Sequence, residues 1–158
     1  MKDFPGQKGP MCTWPRVEAV DGARFCLSEL SRKAPCCLAT NARDSSRSQI
    51  RLALEQAGLS AFISEIYCFQ TLGMAKPSPD FFKEIIRLRG CDPGRVIMIG
   101  DSLDTDVRAA IAAGLKAVWF NREGMPVPDG ITAVSSLREL PGIHIERPAA
   151  PPYGENKA

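Results

Sequence analysis

The chain has 158 residues, a net charge of +2, and hydrophobic and charged shares of 44% and 24%. That is enough for one domain with a buried core, and the composition is that of an ordinary soluble globular protein. Acidic and basic residues are interspersed, no apolar run nears the ~20 residues of a membrane span, and MKDFPGQKGP has no apolar signal segment, so nothing favours nucleic acid, a membrane or export.

Residues 1–19 are rich in Pro and Gly and are expected to be irregular. Asp21-Gly22 opens a helical pattern with Ala23, Cys26, Leu27 and Leu30 on one face, and Pro35 stops it. CCLAT (36–40) has the length and apolarity of a strand. A polar loop leads to a helix over about 46–57, with Ile50, Leu54 and Ala57 among its apolar set and Gly58 at its end. FISEIYCF reads as a loop entering a strand near 65–69. Ser78 and Pro79 then supply an N-cap and a first helical residue, and Phe81, Phe82, Ile85 and Ile86 give that helix an apolar face. RVIMI (95–99) is a strand expected to be buried on both faces. An Ala-rich helix over 104–115 ends at Gly114, KAVWF (116–120) is the next strand, and ITAVS (131–135) precedes a short helical SSLREL.

This alternation predicts an α/β fold: a Rossmann-like, three-layer α/β/α domain with a mostly parallel sheet over residues 20–147 and no evident cap domain. Residues 148–158 form a Pro-rich tail expected to be disordered. The six cysteines include no CxxC, and the single histidine, His144, stands far from them, so a structural zinc site is not expected. They read as free thiols used as small hydrophobes in a reducing cytoplasm, with the CC of CCLAT buried.

In parallel α/β sheets the ligand crevice lies beyond the carboxyl ends of the strands. Three polar features sit at such ends: Thr40-Asn41, Lys76 and the cluster GDSLDTD (100–106). A hydroxyl, an amide and free N–H groups at Thr40-Asn41 suit a phosphate, and Lys76 can neutralise a phosphate or a carboxylate. Asp101, directly after a buried-looking strand, suits a hard divalent cation such as Mg2+, and Gly100 lets the backbone turn close to it. Asp104 reads better as a helix N-cap than as a ligand.

The ordered set, ATN then GMAKPSPDFF then VIMIGDSLDTDVRAAIAAGLKAVWFNR, resembles the second to fourth motifs of the haloacid dehalogenase (HAD) superfamily, in its haloacid-dehalogenase and phosphoglycolate-phosphatase-like subgroup. The resemblance covers roughly residues 20–125. It implies a Mg2+-dependent phosphatase acting on a small phosphorylated metabolite. Thr40, Asn41, Lys76 and Ser102 would bind the phosphoryl group, Lys76 and Asp106 would serve catalysis, and Asp101 and Asp106 would hold the metal. A homodimer stays open.

The family's first motif, a strand followed by Asp-x-Asp-Gly-Thr, has no counterpart here. Asp21-Gly22 has Ala19 two places earlier and no strand before it, and Asp3 sits in KDFPG. In the family that strand is the sheet's central member, between the CCLAT and VIMIG strands, and its first Asp is the nucleophile. A slot one strand wide would separate its flanks by about 10 Å. Three outcomes compete: a segment missing from the recorded chain, re-pairing (CCLAT beside VIMIG, or residues 11–20 in the slot), and a degenerate homologue that kept the frame. The expected function is an impaired HAD phosphohydrolase. The alternative is a non-catalytic phosphate- or partner-binding module.

Overall fold

The computed structural model describes residues 6–143. The expectations for Asp3, His144 and the Pro-rich tail lie outside the described residues. From Ala23 onward helices and strands alternate. α1 (Ala23–Leu30) starts behind Gly22, whose φ of 75° is left-handed. β1 (Cys36–Ala39) leads into α2 (Arg47–Gln56), which opens on a capping box: Ser46 Oγ accepts the Gln49 amide and the Gln49 side chain accepts the Ser46 amide. β2 (Ile63–Tyr67), the short α3 (Phe69–Leu72) and α4 (Pro79–Arg89) follow. Ser78 caps α4 and a left-handed Gly90 ends it, as the sequence predicts. β3 (Ile97–Gly100) runs into a wide helical turn at Leu103–Arg108, then α5 (Ala109–Ala112), β4 (Lys116–Phe120) and β5 (Thr132–Val134). No described helix is long and apolar enough to cross a membrane.

Every strand pair is parallel: β1 with β2, β3 with β4, and β4 with β5. The result is two half-sheets, β1-β2 and β3-β4-β5. Helices hold them together. On one face Phe81, Phe82 and Ile85 of α4 and Ala109 and Ala110 of α5 form a cluster that also takes in Ala39 of β1, Tyr67 of β2, Met98 of β3 and Ala117 of β4. On the other face α1 places Leu27 in a cluster with Ile50 and Leu54 of α2, against β1 and β2. It places Cys26 in another with Val118 and Val134, against β4 and β5. The three-layer α/β/α architecture is thus present, with its middle layer divided.

Neither form of re-pairing occurs. CCLAT makes no ladder with VIMIG. Residues 11–13 form a short helical turn against α2, where the Gln56 side-chain amide donates to the Cys12 carbonyl. Among the described residues, nothing pairs with the edge of β1 away from β2 or the edge of β3 away from β4. Burial follows. β2 buries Ile63, Ile66 and Tyr67, and β4 buries Val118 and Trp119, but no residue of β1 or β3 is buried. Ile97 is 43% exposed and Cys37 is exposed. The expected burial of RVIMI on both faces and of the CC pair is therefore corrected. Their composition suits a sheet interior, but each has one open edge.

A second correction concerns β2, which begins at Ile63 and ends before Cys68. There the chain turns into α3, with the Cys68 amide donating to Thr71 Oγ1. A short apolar run does not by itself distinguish strand from helical turn.

All six cysteines are free thiols. Burial pushes the Cys26 thiol up to about 11, and the neighbouring Cys36 adds to the rise. The stability gained by burying the neutral Cys26 thiol is complete below its ordinary value of 9.0 and is lost as pH climbs toward about 11. Chemical denaturation at a series of pH values should show a decline over that window that is shallower in Cys26→Ala. Thiol titration of the native protein should label Cys37 first and reach the buried Cys26 and Cys68 only on unfolding.

Candidate active site

The carboxyl ends of β1 and β3 meet at Lys76. Its ammonium donates to the carbonyl of Ala39, the last residue of β1, at 2.9 Å, and to Asp106 Oδ1, in the turn after β3, at 2.6 Å. The Lys76 and Asp106 side chains are 9% and 7% exposed, so this is a buried ion pair spanning the two half-sheets. The Lys76 backbone is held as firmly. Asn41 Nδ2 donates to the Lys76 carbonyl at 2.9 Å, and the Lys76 amide donates to Asn41 Oδ1 at 2.8 Å. One primary amide thereby satisfies both backbone groups of Lys76. The Lys76–Pro77 peptide is cis. Thr40 extends the β1 ladder, its amide donating to the Tyr67 carbonyl, while its hydroxyl accepts the Ala42 amide.

On the β3 side the backbone is shaped around Asp106. The amides of Asp106 and Val107 both donate to the Ser102 carbonyl, at 3.0 and 3.3 Å, which widens the turn by one residue. Asp106 Oδ2 accepts the Ser102 amide at 3.2 Å. Gly100 is required here by contact: a Cβ on it would lie 2.3 Å from Asp106 Cβ and Oδ2. The helix cap is Ser102, whose hydroxyl accepts the Thr105 amide. This corrects the expectation for Asp104, which is exposed and paired with Arg108 one turn on.

Asp101 faces differently. Its side chain is 59% exposed and lies 3.6 Å from the Arg122 guanidinium, while its carbonyl accepts the Trp119 indole N–H at 3.0 Å. A cleft of about 130 Å³ lies beside it, lined by Trp119, Asn121, Arg122 and Glu123 among others. Buried Asn121 holds the loop after β4, accepting the Met125 amide and donating to its carbonyl. Among the described residues no group of three or more His, Cys, Asp or Glu side chains is placed to hold a metal ion. Asp21, a nucleophile candidate by its Asp-Gly pair, is exposed and sits 3.7 Å from Arg138, and Asp44 is exposed beside Ser45. Neither contacts Lys76.

The fold therefore joins Asn41, Lys76, Ser102 and Asp106 in one hydrogen-bonded cluster at the strand ends, with Thr40 adjoining it in the chain, bonded to Tyr67 and Ala42, and Asp101 next to it and turned outward. The sequence marks these residues without revealing how they act on one another. Asn41 as a clamp on Lys76 is invisible in sequence, because its partner lies 35 positions away. Arg122 beside Asp101, 21 positions on, is hidden for the same reason.

Residues 14–114 match the model of the haloacid dehalogenase-like hydrolase family, and the chain belongs to that family. It is 33% identical over 124 residues to human N-acylneuraminate-9-phosphatase, an alignment covering 74% of this chain and 48% of the relative. It is 33% identical over 123 residues to the Escherichia coli pyrimidine 5'-nucleotidase YjjG, covering 75% and 53%. Among solved structures, the HAD-hydrolase YfnB of Bacillus subtilis bound to magnesium superposes with a TM-score of 0.66 at 26% identity, covering 77% of this chain and 52% of that one. The chain spans about half the length of the curated relatives it matches.

Removing one partner of a buried ion pair strands the other charge, which costs about 3–5 kcal/mol. Asp106→Ala should lose about that much in urea unfolding, whereas Asp104→Ala, at an exposed pair, should stay within about 0.5 kcal/mol of the parent. Gly100→Ala should behave like Asp106→Ala, because its methyl group displaces the Asp106 carboxylate.

Proposed function

We propose that this chain provides the phosphate-anchoring part of a HAD phosphohydrolase site for a small phosphorylated metabolite, with Mg2+ as cofactor. The observation that carries this reading is the buried Lys76–Asp106 pair, clamped by Asn41 where two parallel strands end. A cation fixed at that position attracts a phosphoryl group without reorganising. Thr40, with its hydroxyl, and the amide-rich turn at Asn41 and Ser102 are its partners in orienting the phosphate. Asp106 acts by holding Lys76. The phosphatase names carried by the human relative and by YjjG support the substrate class.

Mg2+ characteristically takes one or two carboxylates together with water and phosphate oxygens. The donors here fit that description thinly. Asp101 is exposed and has only a 3.6 Å contact with Arg122 to give up, while both Asp106 oxygens are already engaged. Asp101 would hold the ion with Asp106 as a neighbouring carboxylate, and the ion would neutralise charge on the phosphate. The magnesium in the YfnB structure supports this assignment. Free thiols support the cytoplasmic setting expected from the sequence.

Covalent phosphoryl transfer also needs a nucleophile. Among the described residues no carboxylate other than Asp106 contacts Lys76. That observation also favours the second reading, a non-catalytic phosphate-binding module, and the two differ in turnover.

Calorimetric titration should detect Mg2+ binding that weakens in Asp101→Asn. Equal binding by both proteins would count against Asp101 as the ligand. With p-nitrophenyl phosphate and Mg2+, the chain should turn over little faster than a Lys76→Ala, Asp101→Ala double variant, since losing a nucleophile costs several orders of magnitude. Rapid Mg2+-dependent turnover abolished by Asp101→Ala would mean that a nucleophile is present after all.

A further inference from the structure

We propose that Arg122 is the resident counter-ion of Asp101, and that Asp101 must give it up to hold a divalent cation, so that Arg122 sets the affinity of the metal site. This assignment rests on Asp101 being the Mg2+ ligand proposed above. It gives a role to a residue outside the ordered set of strand-end motifs.

Among the described residues, the Asp101 carboxylate has a single partner. Its Oδ2 lies 3.6 Å from Arg122 Nη2, an attraction between charges that is too long for a hydrogen bond. The Arg122 guanidinium, 45% exposed, makes no hydrogen bond of its own among the described residues. The neighbouring carboxylates are engaged elsewhere. Asp106 gives one oxygen to Lys76 and the other to the Ser102 amide, and Asp104 is bonded to Arg108. A cation that reaches Asp101 therefore meets one competitor, and that competitor is Arg122.

The pair is set up by the main chain. Gly100 stands opposite Trp119 in the β3–β4 ladder, so Asp101 and Arg122 follow neighbouring strands at the same end of the sheet. The Trp119 indole N–H donates to the Asp101 carbonyl at 3.0 Å and ties the Asp101 backbone to β4. Asn121, buried next to Arg122, anchors the other side. Its amide donates to the Val134 carbonyl at 2.8 Å, and its side chain satisfies both backbone groups of Met125. Both backbones are thus fixed. Both charged side chains, by contrast, stay largely in solvent, beside the cleft of about 130 Å³ that Asp101, Arg122 and Glu123 help to line.

A contact between two such exposed charges adds little to fold stability. Its effect falls on binding. Hard cations are drawn to carboxylates by charge, and a guanidinium beside Asp101 cancels part of that charge. It also repels a second cation at the same carboxylate. Removing the guanidinium should therefore strengthen metal binding. A loss of loop structure would weaken it, so the direction of the change separates the two roles.

The test is Mn2+ binding to the full chain at low ionic strength, read from loss of the free-ion signal in electron paramagnetic resonance. Mn2+ takes the same oxygen ligands as Mg2+. Arg122→Gln should bind Mn2+ about two- to fivefold more tightly than the parent chain, the span that an exposed ion pair commands. Arg122→Lys should return the parent affinity, because a 3.6 Å contact needs the charge and not the shape of the guanidinium. Arg108→Gln removes an equal charge that is bonded to Asp104, and it should tighten binding clearly less. Unchanged or weaker binding by Arg122→Gln, a Lys variant as tight as the Gln variant, or equal tightening by Arg108→Gln would each overturn the assignment to Arg122 while leaving Asp101 as the ligand. Parent-like binding by Asp101→Asn would instead overturn the metal site itself, and the role of Arg122 with it.

Discussion

The ammonium of Lys76 has acceptors from both halves of a divided sheet: a strand-end carbonyl on one side and the Asp106 carboxylate on the other. Burying a cation is costly unless its partners are well placed, and the surrounding backbone is arranged to place them. Asn41 fixes the Lys76 main chain, the widened turn and the Ser102 amide fix Asp106, and Gly100 leaves room for the carboxylate. Each of these features is local, but together they hold a single positive charge at the carboxyl ends of the strands. That is where an α/β sheet exposes its ligand site.

The sequence made the element types legible because their signals are local. Ser78-Pro79 and Gly90 bound α4 as expected, and the alternation of apolar runs with helical patterns anticipated parallel pairing. The site residues were legible as a set because they recur in order at strand ends, the pattern on which the HAD resemblance rests. What was hidden is what depends on long-range geometry. Asn41 was marked for phosphate through its backbone or amide, and nothing local announced that its side-chain amide also holds the Lys76 main chain. Asp104 looked like a cap, but the widened turn gives that role to Ser102. RVIMI looked buried, since hydropathy reports what a strand is suited to and not whether its neighbour is there.

This distinction carries over to function. The phosphate anchoring proposed above asks for a preorganised cation, and the buried Lys76–Asp106 pair supplies one. Covalent transfer needs in addition a nucleophile opposite Lys76, and the carboxylate found there, Asp106, is committed to the lysine itself. Among the described residues, no strand pairs in the division between β1 and β3. Its borders are apolar strands, and its far end is the ammonium. The chain belongs to a hydrolase family whose curated relatives are about twice as long as the part it aligns with. Their activities concern more polypeptide than the Lys76–Asp106 cluster described here.

The divided sheet itself is the central claim, and residue-resolved amide hydrogen exchange tests it most directly. Amides of β2 and β4 that donate into the β1–β2, β3–β4 and β4–β5 ladders should exchange slowly, at rates set by global unfolding. Those amides of β1 and β3 that face the division should exchange much faster than their immediate neighbours, giving alternating protection along each strand. Uniformly slow exchange along both β1 and β3 would contradict the account, because it would mean that the two strands are paired on both edges in solution.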